Sequence, residues 1–325
     1  MLEVNNLNVR LQTQRGPADA IRGVSFSLQR GETLGLVGES GCGKSITAMA
    51  LMGLLPESAA VSGSIRFDNQ ELVGQPDAVM RRLRGNRIGM IFQEPMTALN
   101  PVHTIGDQVA EPLRLHRGMD REKARAQTIS LLERVGISNA AGRADAYPHQ
   151  FSGGQRQRIT IAMALACEPD LLIADEPTTA LDVTIQGQIL DLIHDLVTER
   201  SMALLLISHD LGVIAQNVAR MMVMYGGSVI ESGPTTRVFG HMAHPYTRGL
   251  FGARPRLGAR SGQRLVTIDG TVPELVDLPS GCAFSDRCAW AQAPCRSIRP
   301  EPTGLGNGHD ASCLRLDAVR AGDAK

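Results

Sequence analysis

Gly38-Glu39-Ser40-Gly41-Cys42-Gly43-Lys44-Ser45 fits the pattern G-x-x-x-x-G-K-S at every position. The segment follows the short apolar stretch Thr33-Leu34-Gly35-Leu36-Val37 and precedes residues with helical periodicity. Glycines let the backbone wrap around phosphate groups, and N–H groups at a helix N-terminus point towards the bound anion. A chance glycine-rich turn does not fit this full pattern with both flanks, so we predict a phosphate-binding loop between a strand and a helix.

Two side chains of this loop have chemistry that suits a nucleotide. Lys44 can neutralise charge on the β- and γ-phosphates, and the Ser45 hydroxyl can ligate Mg²⁺. Cys42 is open to two interpretations, an activated thiol at a helix N-terminus or a residue that fills a variable loop position. We expect nucleotide contacts from the whole loop, which comprises Gly38, Glu39, Ser40, Gly41, Cys42, Gly43, Lys44, Ser45 and Ile46.

Polar side chains also follow three later apolar segments. The strand predicted at 171–175 ends in Asp175, which is expected to hold Mg²⁺ directly or through water. Glu176 follows directly and is expected to orient or deprotonate the attacking water. Gln93 and His209 each follow another predicted strand. Gln93 is a candidate to contact the metal and the attacking water, and His209 is a candidate to contact the γ-phosphate. Taken alone, a single Gln or His at a strand end is more often structural.

A second phosphate-facing element comes more than a hundred residues after the first. Ser152-Gly153-Gly154-Gln155 stands at the start of a predicted helix that leads into the acidic strand. A helix start with two glycines can present bare N–H groups to a phosphate. Two such elements for one nucleotide indicate a site assembled from two protein surfaces.

The pattern of elements predicts an α/β fold. Strands that alternate with helices indicate a mainly parallel sheet, and period-two alternation in the first 35 residues indicates an antiparallel β subdomain. Residues 104–145 have helical periodicity, and residues 95–150 are predicted to be a helical insertion. Glycine, proline and arginine become more frequent after about residue 233, so we place domains at 1–233 and 234–325.

Composition excludes several classes of protein. The 325 residues include 33 basic and 33 acidic side chains, and a net charge of zero gives no support to a protein that holds nucleic acid by overall charge. No apolar run approaches the roughly 18–20 residues of a membrane span, and the N-terminus lacks the pattern of a secretory signal. We expect a cytosolic protein, in which disulfides are rare.

Four cysteines crowd into the C-terminal segment with the spacing C-x5-C-x6-C-x17-C. They are Cys282, Cys288, Cys295 and Cys313. Clustered thiols in a cytosolic protein favour a metal over disulfides, and four thiolates suit either Zn²⁺ or an iron–sulfur cluster. Free structural thiols are the alternative. His309 is a conceivable further ligand, although a solvated loop residue is the expected role.

Taken in order, these motifs resemble those of an ATP-binding cassette (ABC) ATPase over about residues 1–233. The resemblance implies a P-loop ABC ATPase domain in which Lys44 lies in the Walker A loop, Gln93 in the Q-loop, Ser152–Gln155 in the signature, Asp175 and Glu176 in Walker B, Thr179-Ala180-Leu181-Asp182 in the D-loop and His209 at the switch histidine. It also implies a head-to-tail dimer that sandwiches ATP between Walker A and the partner's signature. The family usually stacks adenine on an aromatic residue near the N-terminus, and residues 12–21 contain none.

The same resemblance assigns roles to these side chains. It implies that Glu176, His209, Gln93 and Lys44 are catalytic and that Ser45, Gln93 and Asp175 hold Mg²⁺. It further implies that ATP is contacted by the loop and by Gln93, Ser152, Gly153, Gly154, Gln155, Asp182 and His209.

The C-terminal segment narrows the resemblance to the ATPases of oligopeptide and dipeptide importers. Val238-Phe239, His244-Pro245-Tyr246-Thr247-Arg248 and the cysteine-rich tail carry it. It implies a small cysteine-rich C-terminal domain with a [4Fe-4S] cluster at the four cysteines, zinc being the alternative. The implied partners are a second ABC ATPase subunit (commonly a paralogue), two transmembrane permease subunits and a substrate-binding protein, with no nucleic acid. The implied location is the cytoplasmic face of a bacterial inner membrane.

Other functions stay open at this stage. One is a soluble cassette ATPase that acts on DNA or the ribosome, and another is an iron–sulfur redox sensor that uses ATP as a switch. Within importers, dipeptides, longer peptides, nickel complexes and opines are all open as substrates, as is the choice between homodimer and heterodimer.

Overall fold

The computed structural model describes residues 1–179, 181–253 and 267–322. Backbone contacts divide the chain into two compact units. The first unit consists of residues 1, 28–33 and 74–207, and the second of residues 2–27, 34–73 and 208–325. The domain boundary near residue 233 stays a prediction, and Ala180 of the predicted D-loop lies outside the described residues.

The strands, in chain order, are β1 (Leu2–Thr13), β2 (Gly16–Leu28), β3 (Thr33–Val37), β4 (Ala60–Phe67), β5 (Gln70–Glu71), β6 (Ile88–Ile91), β7 (Leu171–Asp175), β8 (Ala203–Ser208), β9 (Arg220–Tyr225), β10 (Ser228–Pro234), β11 (Thr303–Gly304) and β12 (Asp310–Ala311).

The helices, in chain order, are α1 (Lys44–Met52), α2 (Asp77–Leu83), α3 (Pro95–Ala98), α4 (Ile105–Arg117), α5 (Arg121–Arg134), α6 (Ala140–Arg143), α7 (Gly153–Leu165), α8 (Val183–Glu199), α9 (Leu211–Asn217), α10 (Thr235–Gly240), α11 (Pro245–Gly252), α12 (Ala293–Ser297) and α13 (Leu316–Ala321). In the described ranges, none of these helices has both the length and the apolar character that crossing a membrane requires.

The first unit contains the parallel strands β8-β7-β6. Their side chains are almost all apolar and buried, as expected for parallel strands covered on both faces. Ile88 pairs with Leu171 and Asp175 pairs with Ile207, so the three strands run in register. The residues that follow β6 and β7 therefore leave the sheet at the same edge.

Helices of the predicted insertion pack together within the first unit. Helix α4 contacts α5 and α7, and α5 contacts α6. The Thr104 hydroxyl caps α4 by accepting a hydrogen bond from the backbone N–H of Asp107 at 3.1 Å, and Asp120 caps α5 in the same way. The prediction that residues 104–145 are helical is confirmed.

The second unit contains an antiparallel sheet with the order β2-β1-β4-β5 and a set of strands with the order β11-β12-β10-β9-β3. Strands β3 and β9 are parallel, whereas β9, β10, β12 and β11 pair antiparallel. The sheets are therefore mixed, with parallel pairing of β3 with β9 and of β7 with both β6 and β8. The predicted phosphate loop leaves the C-terminal end of β3, a position where open α/β sheets bind ligands.

Candidate functional site

The predicted phosphate loop turns tightly from β3 into α1. Gly43 has φ +108°, and a Cβ on Gly38 would lie 2.4 Å from the carbonyl oxygen of Met224, so neither position accepts a larger residue without rearrangement. Lys44 is only 5% exposed, and its Nζ donates to the carbonyl oxygens of Gly38 at 2.7 Å and Glu39 at 3.1 Å. The ammonium group therefore lies inside the loop that it is predicted to serve.

Cys42 is buried at the start of α1. Burial raises the pKa of its thiol, and this effect exceeds the opposing influence of Lys44 and the backbone N–H groups. The interpretation of Cys42 as an activated thiol is therefore wrong, and the side chain fills space beneath the loop. Ser45 and Ile46 follow in the first turn of α1, where both are half-buried.

Side chains from the C-terminal segment of the second unit bind Glu39, the second residue of the loop. The Tyr246 hydroxyl accepts a hydrogen bond from the backbone N–H of Glu39 at 2.8 Å. The Arg287 guanidinium donates to both carboxylate oxygens of Glu39 at 2.7 and 3.2 Å, and to the Tyr225 hydroxyl at 3.3 Å. We call Tyr225, Tyr246 and Arg287 the Glu39 clasp. Sequence reasoning missed these residues because nothing in their spacing links them to a loop that lies about two hundred residues earlier.

Glu176 and Gln93 meet at the edge of the parallel strands in the first unit. Gln93 Nε2 donates to Glu176 Oε2 at 3.1 Å, and the Thr179 hydroxyl donates to the same oxygen at 2.9 Å. The backbone of Glu176 has φ +47°, a left-handed conformation that is uncommon for a non-glycine residue, and its N–H donates to Ile207 O at 2.9 Å. Two residues predicted from separate strand ends are thus in direct contact.

Three further predicted site residues lie at element ends. Asp175 is the last residue of β7 and is 4% exposed, whereas His209 is exposed and directly follows β8. The Asp182 carboxylate caps α8 by accepting a hydrogen bond from Ile185 N at 3.0 Å. The positions of these three residues do not test their predicted roles in nucleotide binding, which stay predictions.

Ser152 and Gln155 form a capping box at the start of α7. The Ser152 hydroxyl accepts from Gln155 N at 3.3 Å, and Gln155 Oε1 accepts from Ser152 N at 3.2 Å. Ser152 and Gly153 are exposed, and Gly154 packs against Ile185 of α8. The helix start is therefore fixed from within its own unit, and its outer side faces solvent.

In the second unit, the loop with closely approached glycines and a buried ammonium suits phosphate oxygens, and the Ser45 hydroxyl is an oxygen ligand of the kind that Mg²⁺ prefers. In the first unit, the Asp175 carboxylate and the Gln93 amide supply oxygen ligands of the same kind.

The four late cysteines influence one another electrostatically. Burial, and after it the neighbouring thiols, raise the pKa of Cys288 and of Cys313 to about 11. The backbone N–H of Cys282 donates to Cys295 O at 2.8 Å, which joins two of the cysteine segments. However, no group of three or more His, Cys, Asp or Glu side chains in the described ranges is arranged to hold a metal ion, so the structure does not support the predicted metal site.

His309 is not the solvated loop residue that the sequence indicated. It is 3% exposed, and its Nε2 donates to the buried Glu231 carboxylate at 2.8 Å. Glu231 also accepts from the backbone N–H groups of Ala243 at 2.7 Å and His244 at 2.9 Å. The sequence did not indicate the pair of His309 and Glu231, because the loop around His309 is rich in glycine and polar residues and resembles an exposed loop.

Comparison with known families gives two matches along the chain. Residues 21–179 match the model of the ABC transporter family. Residues 230–295 match the model of the oligopeptide/dipeptide transporter C-terminal region.

Individual relatives match over nearly their whole length. The dipeptide transport ATP-binding protein DppD of Bacillus subtilis is 49% identical over 100% of this chain and 99% of its own length. The oligopeptide transport ATP-binding protein OppD of Haemophilus influenzae is 49% identical over 96% of each chain. Among solved structures, a dimeric ATP-binding cassette in a post-hydrolysis state with ADP and phosphate superimposes with a TM-score of 0.65 and 28% identity, covering 72% of this chain and 99% of that one.

Proposed function

Because this chain belongs to the family of ABC transporter ATP-binding proteins, we propose that it hydrolyses ATP to power the import of peptides. The observation that carries the proposal is the full-length similarity to peptide-import subunits, which includes the C-terminal region as well as the cassette. The neutral net charge gives no support to the alternative of a soluble cassette ATPase that holds nucleic acid by overall charge.

We propose the following roles for the side chains. Lys44 and the loop amides bind the phosphates, and Glu176 takes the proton from the attacking water. Gln93 holds the Glu176 carboxylate in position, as their 3.1 Å hydrogen bond indicates, and His209 contacts the γ-phosphate. Mg²⁺, held by Ser45, Asp175 and Gln93, would neutralise charge on the β- and γ-phosphates.

The partners follow from the same family relationship. We propose that the second cassette subunit is a paralogue. Its residues at the positions that correspond to Ser152, Gly153, Gly154, Gln155 and Asp182 contact the ATP held by this chain. Two transmembrane permease subunits and a substrate-binding protein complete the importer, in which this chain lies at the cytoplasmic face of the membrane. Exposed apolar side chains in and beside the helical insertion support a contact with the permease; they are Phe92, Val102, Leu115 and Tyr147, with exposed fractions of 45, 74, 71 and 41%.

The [4Fe-4S] cluster at Cys282, Cys288, Cys295 and Cys313 is a separate proposal, which rests on the sequence resemblance alone. Iron analysis and visible absorbance of anaerobically purified protein test it. Brown protein with about four iron atoms per chain would support the cluster. Colourless protein with stoichiometric zinc would replace it with the zinc alternative, and colourless protein without metal would leave free thiols.

Glu176→Gln tests the catalytic proposal. The amide keeps the size of the carboxylate and can still bond Gln93 and Thr179, but it cannot accept a proton. We expect ATP binding close to wild type and a turnover lowered by roughly a hundredfold or more. Near-wild-type turnover would remove Glu176 from the role of base.

Peptide uptake tests the physiological part. Cells that lack this chain should lose uptake of a labelled di- or oligopeptide, and the wild-type gene should restore it whereas the Glu176→Gln gene should not. Lost uptake of nickel or opines with intact peptide uptake would shift the substrate class, and ATPase activity stimulated by nucleic acid but not by membranes would favour the soluble alternative.

A further inference from the structure

A cavity of about 540 Å³ lies in the C-terminal part of the second unit, apart from the predicted phosphate loop. Five basic side chains line it: Arg237, His241, Arg248, His309 and Arg320. None of the described residues in its wall is an aspartate or glutamate. Its size is that of a small-molecule site.

The three guanidinium groups have no carboxylate partner among the described residues. Arg248 donates only to backbone carbonyl oxygens, from Nε to Met242 at 2.8 Å and from its terminal nitrogen to Val319 at 2.6 Å. Arg237 Nε is buried and has no hydrogen-bond partner among the described residues. Arg320 is an exposed residue of α13 at the cavity wall. Three positive charges thus share one cavity without neutralisation, which raises the local potential for an anion.

The nearest buried carboxylate is already occupied by other donors. Glu231 lies behind His309 and accepts from His309 Nε2 and from two backbone N–H groups. These bonds hold the imidazole of His309 in place at the wall of the cavity. Met242 and Leu305 add apolar surface beside the basic groups, so the lining suits an anion with an uncharged portion rather than a bare ion.

We propose that this cavity binds a phosphate ester, with Arg237, Arg248 and Arg320 contacting the phosphate oxygens. Planar guanidinium groups bond the oxygens of carboxylates and phosphates in pairs, which favours either over a halide. Three guanidinium groups outnumber the two oxygens of a single carboxylate, which favours a phosphate group. Two sources carry this chemistry, a soluble phosphate compound and the headgroup of an anionic phospholipid. The site differs from the predicted ATP site because none of its basic residues belongs to the Walker A loop, the signature or the acidic strand.

Titration calorimetry with glycerol 3-phosphate, a simple phosphate ester, tests the soluble source. All proteins carry Lys44→Ala, so that binding at the phosphate loop is weakened. We expect one glycerol 3-phosphate per chain, and Arg237→Gln with Arg320→Gln should weaken its binding roughly tenfold or more. Arg66→Gln, at an exposed position on β4 of the same unit, is the matched control and should leave the affinity unchanged.

Flotation with vesicles tests the lipid source. Vesicles of phosphatidylcholine with phosphatidylglycerol should retain the protein if the headgroup is the ligand, pure phosphatidylcholine should not, and the double variant should lose the retention. The double variant Arg237→Lys with Arg320→Lys keeps both positive charges. In whichever of the two experiments shows binding, it should bind more strongly than the double glutamine variant. Unchanged ATP binding by the double variant with Lys44 intact shows that the variant is folded.

Two results would overturn the proposal. One is the absence of binding in both arms. The other is binding that is equally strong in the double glutamine variant and in Arg66→Gln, because the ligand would then sit elsewhere on the protein.

Discussion

At the scale of single residues, the predicted base Glu176 combines an unfavourable backbone conformation with firm support. A left-handed non-glycine residue costs of the order of 1–3 kcal/mol, and it persists only where its surroundings fix it. Here Gln93, Thr179 and the carbonyl of Ile207 supply that support. The sequence predicted Glu176 and Gln93 from their places at strand ends. It could not predict their hydrogen bond, since the register of β6 on β7 decides which side chains meet.

His244 makes the stability of the protein depend on pH. The imidazole caps α11 by accepting from Tyr246 N at 3.1 Å, and complete burial lowers its pKa from 6.5 to about 3. Between these pH values the unfolded chain binds a proton at this site and the folded chain does not, so the free energy of unfolding falls as the pH falls. The contribution is fully present above pH 6.5 and is lost as the pH drops towards about 3.

His244→Asn isolates this effect, because Asn is also a good helix N-cap but does not titrate. Between pH 6 and pH 5 the wild type should lose about 1 kcal/mol more unfolding free energy than the variant, measured by urea denaturation. Other titrating groups are shared by both proteins and cancel in the comparison. Parallel curves for the two proteins would show that His244 is accessible to protons in the folded state.

At the scale of elements, the strength of the local pattern determines what the sequence predicts. Strand β7 is predicted with its observed bounds, because a fully apolar run that ends at an acidic residue marks it clearly. Helix α2 is missed, since its short segment relies on ion pairs of Asp77 with Arg81 at 2.6 Å and Arg84 at 2.7 Å. Strands β11 and β12 have two residues each and exist only because β10 offers a partner edge.

The Glu39 clasp joins two segments, the phosphate loop and the C-terminal region, and we expect it to pre-order the loop for ATP. Arg287→Gln removes the ion pair between Arg287 and Glu39, in which the arginine side chain is only 6% exposed. The Glu39 carboxylate then faces the incoming phosphates without that partner. We expect the dissociation constant of ATP to rise roughly five- to tenfold, which corresponds to about 1 kcal/mol. The turnover at saturating ATP should change much less, because the base Glu176 is unaltered.

A double variant separates this effect from a general loss of structure. Glu39→Gln combined with Arg287→Gln removes the uncompensated charge, so its ATP affinity should lie above that of Arg287→Gln alone. Equilibrium binding of a fluorescent ATP analogue measures both proteins. An ATP affinity of Arg287→Gln equal to wild type would mean that the clasp does not order the loop.

At the scale of the whole molecule, the sequence predicts where its character changes but not which distant residues meet. Arg15, between β1 and β2, pairs with Glu274 at 2.7 Å and with Asp277 at 2.7 and 2.8 Å, although more than 250 residues separate them. The C-terminal segment has weak periodicity, and its contacts depend on tertiary fit rather than on local propensity. For the same reason the sequence did not predict the basic cavity, because its arginines lie on three separate helices.

The signature element leads to a prediction about the assembly rather than the single chain. Ser152 is exposed at the start of α7, where the two-surface interpretation requires it to reach ATP on a partner cassette. Ser152→Arg places a bulky cation there and removes the cap, whose loss costs about 1 kcal/mol of helix stability. The nucleotide site that should suffer is therefore the partner's, whereas Lys44→Ala should damage this chain's own site.

Photolabelling with an azido-ATP distinguishes the two sites, because this chain and its partner (a paralogue or a tagged second copy) can be separated by size. Ser152→Arg should lower labelling of the partner several-fold and leave labelling of this chain nearly intact, and Lys44→Ala should give the reverse. Ser152→Ala controls for the lost cap, since it removes the hydroxyl without adding bulk. If Ser152→Arg instead lowers labelling of its own chain alone, the signature does not act across a dimer, and both phosphate-facing elements would serve a single subunit.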